Sequence, residues 1–377
     1  MNTSKIYALL VPIVSVLIAL LIASVIIIMI GKNPITAYSI MIDGAFGSQE
    51  ALADTIMKMT PLILTGLAVG FGFRAGVFNI GAEGQMTMGA LIGAIVAMNI
   101  GGIPSVIAIP LSIIVGMLAG AFWASIAGFL KAFTGAHEVI STIMLNWIAA
   151  NLASYMVTGP LAVGSGTPKS PEVAEASKLP VILKVQATEL SVGIFIAIAV
   201  AIIMYILIEK TTIGYKLKAV GFNQHAAEYG GISIRKSIIL TMAISGALAG
   251  MAGIVDLIGV PPHRFVGELT GGRGFDGITI ALIGRNHPIG IIFAALLIAA
   301  LRTGSNAMQI RAQIPNDIVS IIQGIVIFLV AAERIVSTLI LWKRKKGVTA
   351  ILAGSKRSSH YLSTPYSINS LCSLRLL

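Results

Sequence analysis

Long apolar stretches separated by short polar segments run along most of the chain. The first stretch, 6–30, would span about 37 Å as a helix, which exceeds a hydrocarbon core of about 30 Å. It is too long for the apolar core of a signal peptide, and no small-residue cleavage site follows it. The pattern predicts an all-α polytopic membrane protein of about ten transmembrane helices, two of them short. The predicted spans are 6–30, 61–73, 84–100, 105–130, 139–158, 191–208, 238–259, a broken pair 276–284 and 289–301, and 314–332, with a last apolar piece at 335–342.

The distribution of lysine and arginine predicts the orientation in the membrane. Segment 209–237 carries five basic residues against two glutamates, which is typical of a cytoplasmic loop. Segment 159–190 has balanced charges and is predicted to lie outside the cell. Counting spans back from these loops puts the N-terminus in the cytoplasm. The basic C-terminus is expected there too, which requires the broken pair to enter and leave the membrane by the same face, with residues 1–346 as one transmembrane domain. The Ser-rich remainder, 347–377, is predicted to be a disordered tail that need not be native.

Composition supports a membrane protein and excludes several other classes. The chain has 377 residues, of which 56% are hydrophobic and 11% charged, whereas soluble domains carry about 25% charged residues. The net charge of +11 would suit nucleic acid, but eight basic residues and no acidic one follow Glu333. A basic cluster beside a helix end is typical of contact with anionic membrane lipid, so no nucleic-acid partner is predicted. The single cysteine, Cys372, excludes an internal disulfide.

Two glycine-rich polar segments interrupt the apolar pattern. The first, 70–84, reads GFGFRAGVFNIGAEG, and the second, 271–290, reads GGRGFDGITIALIGRNHPIG. The apolar run 61–73 before the first would be only about 20 Å long, too short to cross alone. Backbone outside a helix is tolerated at membrane depth only within protein or beside water, and broken helices in corresponding halves are typical of solute sites. The alternative for each segment is a plain surface loop closed by an arginine–carboxylate pair.

Polar and aromatic residues in and near these segments are the candidates for a solute pathway. Amides there can exchange hydrogen bonds with a polar solute, and the rings of Phe78, Trp147 and Phe275 can stack on one. For each asparagine, a packing bond between helices is the alternative. The pathway candidates are Phe78, Asn79, Glu83, Gln85, Asn146, Asn151, Asp276, Arg285 and Asn286.

Glycines four residues apart recur in the apolar runs, and they predict closely packed helices. Such pairs allow two helix backbones to approach each other in lipid. The pairs are Gly66 and Gly70, Gly89 and Gly93, Gly116 and Gly120, and Gly246 and Gly250.

The basic segment 209–237 contains the string HAAEYGG at 225–231. Residues 222–230 are predicted to form a short helix that exposes Ala226 and Ala227. A solvated charged loop is the alternative. The string matches the Glu-Ala-Ala-x-x-x-Gly pattern of importer permeases, with histidine in place of the glutamate.

Four strings together resemble the permease family of branched-chain amino acid, ribose and nucleoside ABC importers, and most closely its nucleoside (simple sugar) permeases. They are RAGVFNIGAEGQ at 74–85, HEVISTIMLN at 137–146, the segment 214–231, and the segment 271–290. The resemblance covers roughly residues 6–342. It implies a fold similar to the vitamin B12 importer permease and translocation of a nucleoside, or of a related ribose-bearing or simple sugar solute, into the cell.

The resemblance also implies partners. These are a cytoplasmic ABC ATPase, a second permease with which the chain would form a heterodimer, and an extracytoplasmic solute-binding lipoprotein. In such permeases the short helix docks in a cleft of the ATPase. The residues that would make this contact here are Gly221, His225, Ala226, Ala227, Glu228 and Gly231.

The sequence predicts no catalytic site of its own. It contains neither a phosphate-binding G-x-x-x-x-G-K-[ST] loop nor H-E-x-x-H or G-x-S-x-G, so no cofactor, metal or ATPase site is expected and a partner would hydrolyse ATP. The main alternative is an ion-coupled secondary transporter that uses Asp256, Glu83 and Asp276 as ion-binding or titrating groups. Pairing of Asp256 with Arg74 or Arg285 is the structural alternative. A membrane-embedded enzyme is disfavoured.

Overall fold

Twelve α-helices form most of the described chain in this computed structural model. The structure describes residues 3–164, 168–186, 188–267 and 270–315, and single positions as far as 329. Apart from residues 314 and 315 and those single positions, the predicted span 314–332 lies outside the described residues. The last apolar piece, 335–342, and the tail, 347–377, also lie outside them. The helices are α1 Thr3–Met29, α2 Pro34–Phe46, α3 Gln49–Arg74, α4 Ala82–Asn99, α5 Ser105–Thr134, α6 Glu138–Thr158, α7 Gly193–Lys210, α8 Thr212–Phe222, α9 Gln224–Tyr229, α10 Ile234–Gly259, α11 Arg273–Ile283 and α12 Pro288–Ala312.

Four short strands cover one end of the helices, which we call the strand end. Strand β1 (Lys169–Glu172) pairs with β4 (Arg264–Val266), and β2 (Val181–Val185) pairs with β3 (Thr188–Ser191), both antiparallel. The segment between β1 and β2 is bonded to the helices there. The N–H of Ala174 donates to the carbonyl of Ala97 in α4, and the N–H of Leu179 donates to the carbonyl of Ile258 in α10. The opposite end, where α3 ends, is called the Arg74 end.

The predicted number of about ten membrane-crossing helices is not confirmed by the described residues. Among the described residues, six helices are long and apolar enough to cross a membrane, and the chain is therefore a polytopic helical membrane protein. A seventh crossing is counted if α1 and α2, which meet at a bend of 117°, form one span. Helix α2 was not predicted; it begins where the side chain of Asn33 accepts the N–H of Ile35, with Pro34 in the first turn.

The prediction that run 61–73 is too short to cross alone is wrong. Helix α3 has 26 residues, about 39 Å, and Pro61 lies inside it. The polar residues in its first turns hid this continuity from the apolar pattern. Two of them, Asp54 and Lys58, are one helical turn apart and form an ion pair at 2.7 Å, which neutralises both charges on the helix itself.

The glycine pairs do pack helices closely, as predicted. Helix α10 lies against α4 and α5, and a Cβ atom added to Gly250 would lie 2.4 Å from the carbonyl oxygen of Gly116. A Cβ atom added to Gly89 would lie 2.3 Å from the Cα atom of Gly250. Gly66 similarly admits the side chains of Ile280 and Ile291 from α11 and α12. Backbone-to-backbone contact of this kind replaces the hydrophobic driving force that helices lack in lipid.

Candidate translocation and coupling site

The first polar interruption folds back into the bundle instead of forming a surface loop. After α3 ends at Arg74, residues 75–81 return beside Gly72, and the side chain of Asn79 is fully buried. Asn79 donates to Ser245 of α10 at 2.8 Å, and that hydroxyl donates to the carbonyl of Ala68 at 2.7 Å. Through Ser245, Asn79 is therefore linked to α3 at a position six residues before that helix ends.

Three of the predicted pathway amides hold this interruption together. Asn79 and Gln85 exchange two hydrogen bonds, Nδ2 to Oε1 at 2.8 Å and Nε2 to Oδ1 at 2.9 Å. Asn146 of α6 accepts the N–H of Gly84 at 2.9 Å and donates to the carbonyl of Ile80 at 3.1 Å. All three side chains are buried, so in this conformation their hydrogen-bonding groups are used by the protein itself. This is the packing role that was the alternative for each asparagine.

The second interruption surrounds α11, a helix of only 11 residues that begins inside the bundle. Glu83, in the first turn of α4, accepts the backbone N–H groups of Gly272 at 3.0 Å and Gly274 at 2.6 Å. These amides lie at the α11 N-terminus, where helical N–H groups lack partners within the helix and a negative charge is favoured. Glu83 therefore joins the two interruptions directly.

Two carboxylates of the same region are each paired with an arginine. Asp276 of α11 pairs with Arg302 of α12. Asp256, which is almost fully buried, pairs with Arg273 and not with Arg74 or Arg285, the partners considered as the structural alternative. Arg273 lies beside Asp256 because the loop after α10 turns back, so that α11 begins near the end of α10. Both carboxylates thus have the opposite charge that a buried ion needs.

The break between α11 and α12, residues 284–287, lies at the Arg74 end. Arg285 and Asn286 have left-handed backbone angles, φ 53° and 55°. Arg74 donates from Nε to the carbonyl of Asn286 at 2.8 Å and also pairs with Glu209 at the end of α7. The second oxygen of Glu209 accepts Nζ of Lys218 from α8 at 2.8 Å.

Segment 209–237 forms two short helices, α8 and α9, at the same end. The predicted helix over 222–230 is observed as α9, Gln224–Tyr229, and Asn223 caps it by accepting the N–H of Ala226. The expectation that both alanines are exposed is wrong for one of them. Ala226 is exposed, but Ala227 is buried. The short helix contacts α8 and α10, and Ala227 lies on its inward face.

The remaining residues proposed from the 225–231 string lie on the open surface. His225, Glu228 and Gly231 are exposed. Gly221 lies at the end of α8 against the turn after α3, where an added Cβ atom would be 2.5 Å from the carbonyl oxygen of Arg74. The exposed residues of α9 are therefore connected through α8 to the first interruption.

Helix α6 carries an exposed polar face near its middle. Asn151 and Ser154 are exposed there, together with Trp147, whose side chain is 67% exposed. Tryptophan favours the membrane–water interface, and an exposed asparagine is costly in lipid. In contrast, all exposed residues within α5 and within α7, apart from the terminal residues of each helix, are apolar. The face of α6 is therefore the least suited of the three to contact lipid.

The aromatic candidates are separated in space. Phe78 packs on Phe73, with ring centroids 4.9 Å apart, while Phe275 is exposed on α11.

The sequence reasoning missed Ser245, Glu209 and Lys218 as members of the buried and ionic networks. Ser245 is a polar residue inside the predicted apolar span 238–259, and a hydroxyl within such a span is the signal that could have indicated it. Among the residues that the structure describes, no group of three or more metal-binding side chains occurs.

Comparison with known proteins agrees with these features. Residues 51–331 match the family described as branched-chain amino acid transport system / permease component. The guanosine ABC transporter permease protein NupP of Bacillus subtilis is 38% identical over 342 residues, which are 90% of this chain and 97% of that protein. The nucleoside ABC transporter permease protein NupB of Lactococcus lactis is 35% identical, over 92% of this chain and 97% of its own.

A third relative carries a sugar in its name. The glucose ABC transporter permease protein TsgB13 of Haloferax volcanii is 34% identical over 85% of this chain and 87% of that protein. No solved structure matches the chain. With matches that extend over most of its length, the chain belongs to the branched-chain amino acid transport system / permease component family.

Proposed function

We propose that the chain is the membrane-spanning permease subunit of an ABC importer for nucleosides, located in the plasma membrane. The observation that carries this proposal is near full-length similarity to two permeases named for guanosine and nucleoside transport. The relative named for glucose keeps a simple sugar as the second candidate solute. Both solutes are uncharged and hydroxyl-bearing, and they need polar groups rather than a ring of charge along their path.

The exposed side of α9 is the surface proposed for the ATPase. His225, Ala226 and Glu228 are exposed there, and the small Ala226 allows a partner surface to approach the helix closely. Ala227 is buried and would support the helix from behind. This contact requires segment 209–237, and with it the Arg74 end, to face the cytoplasm, as its basic residues predict.

The exposed polar face of α6 is proposed to meet the second permease and to line part of the solute pathway. Asn151 and Trp147 lie exposed near the middle of the helix, and although the Asn151 amide donates to the carbonyl of Trp147 at 2.8 Å, its side-chain oxygen is an acceptor that lipid cannot satisfy. A partner helix would remove them from lipid, and an aqueous gap between the two subunits would allow Trp147 to stack on a base. Arg285 and Asn286 remain candidates for the inner end of the pathway. A solute-binding lipoprotein would deliver the solute at the strand end.

An ion-coupled transporter is less well supported. Asp256 and Asp276, two of the carboxylates it would use, are each paired with an arginine, and Glu83 accepts two backbone amides. A group held in this way is not free to exchange an ion without losing its partner.

Uptake of labelled guanosine into vesicles tests the proposal. The vesicles contain this chain, a candidate second permease, the ATPase and the binding protein. We expect uptake to need ATP and all four proteins, and to continue when an ionophore collapses the ion gradients. Uptake by this chain alone, or its loss with the ionophore, would contradict the importer.

The docking surface has its own test. Ala226→Trp places a large ring on the exposed side of α9, so we expect the ATPase no longer to co-purify with the permease. Ala162→Trp, at an exposed position of the strand end, serves as the control and should retain the ATPase. Equal retention by both variants would show that α9 is not the docking helix.

A further inference from the structure

One guanidinium connects three separate elements at the Arg74 end. Nε of Arg74, in the last turn of α3, donates to the carbonyl of Asn286 at 2.8 Å, between α11 and α12. The same group pairs with Glu209 at the end of α7. Glu209 in turn accepts Nζ of Lys218 from α8 at 2.8 Å. A continuous series of charge-assisted contacts thus runs from α8 to the break at 284–287.

A direct backbone contact lies beside this series. A Cβ atom added to Gly221 of α8 would be 2.5 Å from the carbonyl oxygen of Arg74, and one added to Gly76 would be 2.8 Å from the Cα atom of Gly221. Since no side chain separates the two backbones, a displacement of α8 pushes on the turn after α3 without a compressible layer between them.

The break itself is held in an uncommon conformation. Arg285 and Asn286 are consecutive non-glycine residues with left-handed backbone, a region that such residues adopt rarely. The Oδ1 atom of Asn286 is buried and has no hydrogen-bond partner among the described residues. Such an arrangement persists only where its surroundings hold it, and the bond from Arg74 to the Asn286 carbonyl is one of the contacts that do so.

We propose that Arg74 is a positioning residue of the transport cycle, which makes the break at 284–287 follow the movements of α8. The inference rests on the proposed function, because an ATPase bound at α9 would supply the movement. Arginine suits this role since its planar fork serves two acceptors in fixed directions, here the Asn286 carbonyl and the Glu209 carboxylate. Lysine is a single point charge and cannot hold both in the same geometry.

Arg74→Lys in the complete transporter tests this role. The variant keeps the charge beside Glu209 and loses the fork to Asn286. We expect the ATPase to bind and hydrolyse ATP as before, while the amount of guanosine transported per ATP falls by about tenfold, within the range for residues that couple distant sites. Arg311→Lys, in the ion pair with Asp43 on α2, is the matched control and should leave this ratio unchanged. An unchanged ratio in Arg74→Lys would overturn the proposal, as would a parallel loss of ATPase binding.

Distances between spin labels separate positioning from a purely structural role. Labels at Thr134 (end of α5), Lys216 (α8) and Ile289 (start of α12) occupy exposed positions, after Cys372→Ser removes the native thiol. In the otherwise unaltered chain, ATP should change both the 134–216 and the 134–289 distance. In Arg74→Lys only the first should change.

The outcomes of this measurement are distinct. If the 134–289 distance still changes to the full extent in Arg74→Lys, Arg74 does not transmit the movement and the inference is wrong. If ATP changes neither distance in the parent chain, the proposed function itself fails. Glu209→Gln removes the charge between Arg74 and Lys218, and it should reproduce the loss of transport per ATP; normal transport per ATP in that variant also refutes the inference.

Discussion

Removal of the Glu83 carboxylate should release the start of α11 while leaving the rest of the bundle closed. Glu83 accepts the N–H groups of Gly272 and Gly274 at 3.0 and 2.6 Å. A hydrogen bond to a charged group contributes about 1.5–3 kcal/mol. Two such bonds on a partly exposed carboxylate should together stabilise the first turn of α11 by about 3 kcal/mol, the lower end of their sum. Since 1.4 kcal/mol is a factor of ten, Glu83→Ala should open this turn on the order of a hundredfold more often.

Hydrogen exchange of the protein in lipid nanodiscs measures this opening directly. Peptides covering residues 270–283 should exchange on the order of a hundredfold faster in Glu83→Ala, because exchange follows the population of the open form. Glu83→Gln keeps one acceptor oxygen and should give an intermediate rate. Glu50→Gln, in the first turn of α3 at the strand end, makes the same chemical change elsewhere and serves as the control.

Two outcomes would refute this reasoning. Unchanged protection of 270–283 in Glu83→Ala would mean that the carboxylate does not hold the α11 N-terminus. Faster exchange throughout α5 and α10 as well would mean that Glu83 supports the whole bundle rather than one helix start.

Two further predictions concern packing and pH. Gly250→Ala places a Cβ atom 2.4 Å from the carbonyl oxygen of Gly116, so α5 and α10 must separate. We expect the free energy of unfolding to fall by about 1–3 kcal/mol, which lowers the Tm. Gly102→Ala, where the added atom meets open space, is the control and should keep a higher Tm. Burial lowers the pKa of His263 at the strand end, and the charge of Lys178 adds to this. The unfolded chain therefore takes up a proton at about pH 6.5 before the folded chain does, so stability should fall as pH drops below that value, and the slope of Tm against pH should flatten in His263→Gln.

Local features of the fold could be predicted because they depend on neighbouring residues. Helical periodicity, the length of apolar runs and the pairing of small residues are set by positions within one or two turns, and they gave the bounds of α5, α6, α7 and α10 closely. The same local pattern failed at α3. Its polar first turns looked like a loop, although Asp54 and Lys58 neutralise one another along the helix.

The candidate site was predicted as a set of segments, and its internal pairing was not. Both interruptions were identified by their glycines and polar residues. The sequence did not indicate that Asn79 and Gln85 bond to each other, or that Ala227 turns inward while Ala226 remains exposed. These pairings depend on which helix faces meet. Consecutive side chains of a helix point in directions about 100° apart, so neighbours in the sequence can have different surroundings.

By itself, the sequence determined that this chain is a helical membrane protein with two interrupted segments and a basic segment between them, because bilayer thickness and backbone hydrogen bonding constrain every residue of an apolar run. The tertiary structure alone decided which partner each charged side chain meets. Arg74 reaches Asn286 across 212 positions, and Glu83 reaches Gly272 across 189. Contacts at such separations exist only after the helices have packed, since chain order does not restrict which of several buried cations lies beside a given carboxylate.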